Sequence, residues 1–179
     1  MNIMRILVAG FGGQGVLFAG KFLASLGLLE GREVSWLPSY GPEMRGGTAN
    51  CGVILSDLPV GSPIVSEPDV LIAMNLPSFQ KYQPRVKSGG AIVYDSTLIP
   101  EAPERADVRY FALPATRLAA QAALAGLANM ALAGKFLREC YAAPEELIER
   151  TLAEAAGQKR PDLLEANRRA LAIGRAYEG

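Results

Sequence analysis

Apolar residues recur along this chain in two rhythms. Short, mostly apolar runs at residues 5–9, 91–95 and 109–113 read as strands, and residues 69–74 form the kind of continuous apolar stretch that parallel sheets bury on both faces. Residues 33–37 and 48–55 add two more strands, the second alternating loosely and rich in strand formers. Elsewhere the period is helical. Leu17, Phe18, Phe22, Leu23 and Leu26 follow the first strand at helical spacing, and a short helix carrying Phe79 and Tyr82 follows Asn75. Helical sequence opens again at Pro114 and Thr116, runs through Leu118 and Ala122, breaks near Gly126 and resumes to Phe136, Leu137 and Tyr141. Two further helices begin with proline and acids in their first turns, at Pro144-Glu145-Glu146 and at Pro161-Asp162. Gly157 closes the first of them, and the last, residues 163–177, offers Leu164, Leu171 and Ile173 for burial. The succession predicts a three-layer α/β/α fold, a Rossmann-like open sheet with a helical C-terminal part, as one domain over residues 1–179.

The junction of the first strand and first helix is the series Gly10-Phe11-Gly12-Gly13-Gln14-Gly15. In a strand-turn-helix unit Gly10 would permit a tight exit from the strand, Gly12 a close approach by a ligand or another backbone, and Gly15 close packing of helix on strand. Free amides at the start of the helix would suit an anion. The same series serves equally well as a tight βα turn required by packing alone.

Dinucleotide binding has a second requirement, an Asp or Glu near the end of the second strand to hold a ribose. Residues 37–40 are Leu-Pro-Ser-Tyr instead, and Glu30 and Glu33 stand at the other end of that strand. NAD is therefore disfavoured although the glycine turn survives. The loop that follows, residues 39–50, is dense in turn formers and carries Tyr40, Glu43, Arg45, Gly46 and Gly47. Two glycines beside Arg45 remove side-chain bulk, so a ligand could reach both the guanidinium and bare backbone. An exposed Glu43–Arg45 pair would contribute only about 0–1 kcal/mol. A charge-assisted contact to a buried anion is worth about 1.5–3 kcal/mol, which favours a binding loop. Asn75 and Asp95, at the ends of their strands, lie where open sheets place ligands, but Asn also caps helices and Asp forms turns.

Composition narrows the chemistry. The chain has 18 basic and 18 acidic residues, no net charge and no basic footprint for nucleic acid. Near-neutrality does little to keep copies apart, which suits a subunit of a complex. Histidine is absent, and with it the usual general base and the commonest metal ligand. Cys51 and Cys140 are far apart and read as thiols in a reducing compartment, not as metal ligands. No GxSxG, HExxH or P-loop lysine motif occurs. Tyr40, Glu43, Arg45 and Cys51 could form a small active site, but the chain is better equipped to bind than to transform. Residues 118–134 are uncharged but fall short of the roughly 20 strongly apolar residues of a membrane span. With no leader pattern before the first strand, a cytoplasmic protein is expected.

Three segments taken together, residues 10–15, the loop 39–51, and the helical stretch from 113–116 to Ala128-Asn129-Met130, resemble the gamma subunit or gamma domain of 2-oxoacid:ferredoxin oxidoreductases over nearly the whole chain. The form Gly41-Pro-Glu-Met-Arg-Gly-Gly-Thr-Ala-Asn-Cys51 is most similar to the 2-oxoglutarate branch; pyruvate-type members more often replace the double glycine. The resemblance implies a complex that oxidatively decarboxylates a 2-oxoacid, transfers the acyl group to coenzyme A and passes electrons through iron-sulfur clusters to ferredoxin. Thiamine diphosphate and the clusters would lie in alpha and beta partner subunits, with or without a delta subunit. This chain would border coenzyme A and shield the active centre without being catalytic alone, and an isolated copy could pair with itself. By position, Gly12, Gly13, Gln14 and Gly15 would shape the anion-facing turn. Tyr40, Glu43, Arg45, Gly46, Gly47 and Asn129 would face the site or neighbouring subunits. Two other readings stand beside it, a free-standing nucleotide-binding oxidoreductase and a purely structural assembly subunit.

Overall fold

Strand β1, Ile3–Phe11, lies at the centre of a six-stranded sheet, and the rest of the chain is arranged about it. The structure is a computed structural model that describes residues 2–39, 48–102, 105–156 and 160–179. In order, the chain continues with α1 (Val16–Leu29), β2 (Glu33–Ser39), β3 (Thr48–Ser56), β4 (Val70–Ala73), α2 (Leu76–Tyr82), a 3-10 turn (Gln83–Arg85), β5 (Ala91–Asp95) and β6 (Arg109–Leu113). Four helices complete it: α3 (Ala115–Gln121), α4 (Ala128–Glu139), α5 (Glu145–Ala156) and α6 (Pro161–Ala176).

The strand order is β2-β3-β1-β4-β5-β6. From β1 through β6 the pairs are parallel, whereas β3 runs antiparallel to both β1 and β2. The sheet is thus mixed. An antiparallel partner needs only a short connection, so the chain leaving β2 can turn back and fill the place beside β1. This removes the geometric basis of the ribose test applied above. The acid sought at the end of residues 33–37 would have to lie next to the glycine turn, but Phe11 is paired with Thr48 of β3.

Alternation of side chains along the strands sends residues to two cores. Ile6, Val8, Val53, Leu55, Ile72 and Val93 pack against α1 and the four C-terminal helices. Leu7, Ala9, Leu71, Ala73, Ile92 and Tyr94 face the opposite side, beneath Phe79, Tyr82 and Val86 of the α2 region. The three layers are therefore unequal, with five helices on one face and one on the other among the described residues. No helix among them is long and apolar enough to cross a membrane.

α4 is buried along almost its whole length, and it can be because α6 crosses it at backbone contact. A Cβ added at Gly174 would fall inside contact distance of the Ala131 carbonyl oxygen, and one at Gly134 would meet that of Leu171. Lys135, only 2% exposed, is held by Glu139 Oε1 and the Tyr177 carbonyl, each at 2.9 Å, so its burial leaves no unpaired charge. In an ordinary helix interior Gly→Ala stabilises by roughly 0.8–1.0 kcal/mol. Gly174→Ala reverses that sign here, because overpacking costs about 1–3 kcal/mol. A thermal melt followed by circular dichroism should fall by several degrees, and a melt that rises instead would show that α6 does not need this contact.

Candidate functional site

The C-terminal ends of β1, β4 and β5 come together at one edge of the sheet. Between β1 and α1 the chain turns through Gly13 at φ 92° and Gly15 at φ 75°, left-handed conformations that favour glycine. Gly15 is also the residue before the first turn of α1, so no side chain caps that helix. The positive φ therefore falls later in the series than Gly10, which remains in the strand. What Gly10 provides is room, since a Cβ there would lie 2.8 Å from Gln14 Oε1 and 2.9 Å from Met74 Cβ.

Gln14 fills that room and ties the edge together. Its Oε1 accepts the Phe11 N–H at 2.7 Å and the Asn75 side-chain amide at 2.9 Å, while its Nε2 donates to the Met74 carbonyl at 3.2 Å. Asn75 in turn caps α2, accepting the Ser78 N–H on Oδ1 at 2.9 Å. One glutamine thus joins the tips of β1 and β4 and fixes the orientation of the cap. Both its lone-pair positions are in use, which makes it a fastener of the turn.

Asn129 approaches the same turn from the second residue of α4. It is 3% exposed, and its Nδ2 donates to the Gly15 carbonyl at 3.1 Å. A Cβ on Gly15 would lie 2.8 Å from Asn129 Cγ, so the bare glycine makes space for the amide and not for the strand. Because the donor end is committed to Gly15, the oxygen end is fixed by elimination, and Oδ1 is buried with no hydrogen-bond partner among the described residues. A buried acceptor left so costs about 1–3 kcal/mol.

Asp95, 1% exposed, closes the third side. Its Oδ1 accepts the Thr97 N–H at 3.0 Å, and its Oδ2 accepts both the Thr116 N–H at 3.1 Å and hydroxyl at 2.6 Å. The carboxylate therefore caps α3 from the neighbouring strand end, where α3 has no cap of its own. A cavity of about 270 Å³ opens between these groups and the helices, lined by Gly13, Gln14, Met74, Asp95, Thr116 and Asn129 with apolar residues of α3, α4 and the link between them. Ala123 and Gly126, both at positive φ, form that link.

Of the residues singled out in the sequence, the structure brings Gly13, Gln14 and Asn129 to one cavity and sets Gly15 against Asn129, with Gly12 exposed on the turn. Tyr40, Glu43, Arg45, Gly46 and Gly47 lie outside the described residues; the flanking Ser39 and Thr48 pair with Asn50 and Phe11, at the same end of the sheet as the turn. Cys51 does not join an active site. It is fully buried beneath α1, within 3.5 Å of the Val16 carbonyl, and burial pushes its thiol up to about 12. The role of Asp95 in capping α3 has one sequence signal, Thr116 two residues after Pro114, but nothing local ties the two together.

Residues 5–177 match the pyruvate ferredoxin/flavodoxin oxidoreductase family. The ketoisovalerate oxidoreductase subunit VorA of Methanothermobacter marburgensis is 44% identical over 131 residues, 73% of this chain and 27% of that protein. The chain thus spans about a quarter of the length of that relative. The gamma subunit of a keto/oxoacid ferredoxin oxidoreductase from Geobacter sulfurreducens superposes with a TM-score of 0.82 at 26% identity, covering 96% of each chain. A 2-oxoglutarate:ferredoxin oxidoreductase from Magnetococcus marinus, solved with 2-oxoglutarate, coenzyme A and succinyl-CoA bound, superposes with a TM-score of 0.87 at 25% identity, covering 98% of this chain and 31% of that one.

The burial of Cys51 has a direct readout. Because its protonated form is favoured well beyond neutrality and the sulfur is enclosed, iodoacetamide at pH 8 should leave it unmodified in the native protein and alkylate it fully in denaturant. Peptide mass spectrometry decides this, and complete alkylation of native Cys51 would place it at an accessible site after all.

Proposed function

The chain belongs to the pyruvate ferredoxin/flavodoxin oxidoreductase family, and from that premise we propose that it is the gamma subunit of a 2-oxoacid:ferredoxin oxidoreductase, supplying an edge against which coenzyme A is held. The observation that carries this reading is the state of the polar side chains around the cavity. Among the described residues, Gln14, Asn75 and Asp95 all commit their hydrogen bonds to the protein's own backbone, turns and caps, which builds a preorganised rim. A rim of this kind binds and positions; the reacting groups come from other chains.

An iron-sulfur cluster takes four thiolates, and this chain has two cysteines, one on β3 and one just after α4. Among the described residues no group of three His, Cys, Asp or Glu side chains could hold a metal ion. In this reading thiamine diphosphate and the clusters lie in alpha and beta partners, with or without a delta subunit, and ferredoxin is reached through them. This chain's contribution is to hold and orient the coenzyme and to keep water from the centre beside it. The exposed backbone of Gly12 and Gly13, the first turn of α1 and the Arg45 loop are the groups offered to coenzyme A phosphates. In this reading the complex is cytoplasmic.

The same saturated rim also favours a second reading, a purely structural subunit whose glycine turns only pack against partners. Reconstitution with the partner subunits separates the two. The isolated chain should show no turnover, and the complex should oxidise a 2-oxoacid only when coenzyme A is supplied. 2-Oxoglutarate and ketoisovalerate are the acids to compare. Arg45→Ala should raise the KM for coenzyme A about tenfold, equivalent to about 1.4 kcal/mol, with the KM for the acid unchanged. If assembly suffers while both KM values hold, the loop plays only the structural part; if assembly and both KM values are indifferent to Arg45→Ala, the role given to Arg45 is wrong.

A further inference from the structure

The sheet is covered unevenly on the side that α2 occupies. α2 packs on β1 and β4, whereas the irregular chain of residues 57–68, which joins β3 to β4, crosses the sheet at β3. A Cβ added to Gly52 would lie 3.0 Å from Val65 Cγ2, so the bare strand lets that segment sit directly on the sheet. Register puts Leu7, Gly52 and Leu37 in one row across β1, β3 and β2, and Ile3, Ser56 and Glu33 in another, all on this side. The cover is thin. Of nine exposed large apolar side chains among the described residues, four gather here, Ile3, Leu37, Leu58 and Ile64, and so form a patch where an ordinary surface scatters them singly. Ile64, 66% exposed, stands between hollows of about 350 and 560 Å³. Residues 58–67 make no backbone-to-backbone hydrogen bond with any described residue, which leaves their N–H and C=O groups to water or to another molecule.

Charge decides what that molecule is. Glu33 and Glu67, both exposed at the margin of the patch, have no ion pair among the described residues. The bases nearby are already committed, Arg5 and Lys87 to Asp69 and Arg32 to Asp57. We infer that this face is a docking surface for a partner subunit whose own surface is apolar at its centre and carries lysine or arginine at its margin. A second copy of this chain does not fit, because it brings two more unpaired carboxylates and no uncommitted described base to meet them. An acidic protein fails for the same reason. The inference rests on the reading of this chain as one subunit of a complex, and it adds which face of the sheet the complex covers.

The test reconstitutes the full chain with its partner subunits, following affinity by biolayer interferometry and amide exchange by mass spectrometry. In the free chain the amides of residues 60–66 should exchange rapidly, and assembly should slow them at least tenfold. Ile64→Asp should weaken association at least tenfold, and so should Glu33→Lys combined with Glu67→Lys. Binding of the native chain should weaken as salt is raised. The three side chains are exposed in the free chain, so both variants should melt at the native temperature. The inference is overturned if a complex forms without slowing exchange in residues 60–66, or if either variant associates as tightly as the native chain. It is also overturned if the free native chain self-associates and Ile64→Asp makes it monomeric, since the occupant is then a second copy. A native chain that joins no partner subunit defeats the parent reading and takes this inference with it, whereas a coenzyme A-dependent complex indifferent to these changes defeats only the docking face.

Discussion

The site depends on one side chain, Gln14. Its oxygen accepts from the backbone of β1 and from the Asn75 amide, and its nitrogen returns to the backbone at the end of β4. A turn that contains two residues at positive φ and no helix cap would otherwise have many conformations to lose on ordering. The glutamine removes that freedom with one bond inside the turn and two to residues at the end of β4. Asn129 does the same from the far side, so the glycine turn is held between β4 and α4 before any ligand arrives. Such preorganisation reduces the ordering cost of binding any ligand at this edge.

The mixed sheet explains why the rim is open. Parallel strands β1, β4 and β5 end side by side, and α3 and α4 stand over those ends instead of sealing them. On the other flank, β3 begins beside the end of β1, so the loop between β2 and β3 starts and finishes at this edge. Two glycine-rich segments that are far apart in a purely parallel reading of the chain thus leave the sheet at the same end. Beneath them the molecule is unusually tight. α4 and α6 touch at glycine, and α1 rests on Cys51 through Gly20.

Much of this was legible in the sequence. The 2.0 and 3.6 residue rhythms gave the strands and helices with small shifts of boundary, and proline with acids marked the starts of α5 and α6. Residues 48–55 alternate, and reading that alternation places Cys51, Val53 and Leu55 on one face, which is where they are buried. The strand order was not legible, because whether β3 or β2 lies beside β1 is a choice among pairings and not a property of any one segment. Nor were the contacts that make the site. Asn129 reaches Gly15 across 114 positions, and Asp95 caps a helix about twenty residues downstream. The glycine series suggested a turn, but the use of Gly15 to admit an asparagine instead of a strand is a tertiary fact. Side chains that appeared available for a ligand, Gln14 above all, proved to be spent on the backbone.

The proposed role places coenzyme A against this rim. A cryo-electron microscopy map of the reconstituted complex with coenzyme A bound addresses it without kinetics. Coenzyme density should contact the backbone of Gly12 and Gly13, just before α1. A coenzyme resolved wholly within the partner subunits, touching no residue of the rim, would contradict it.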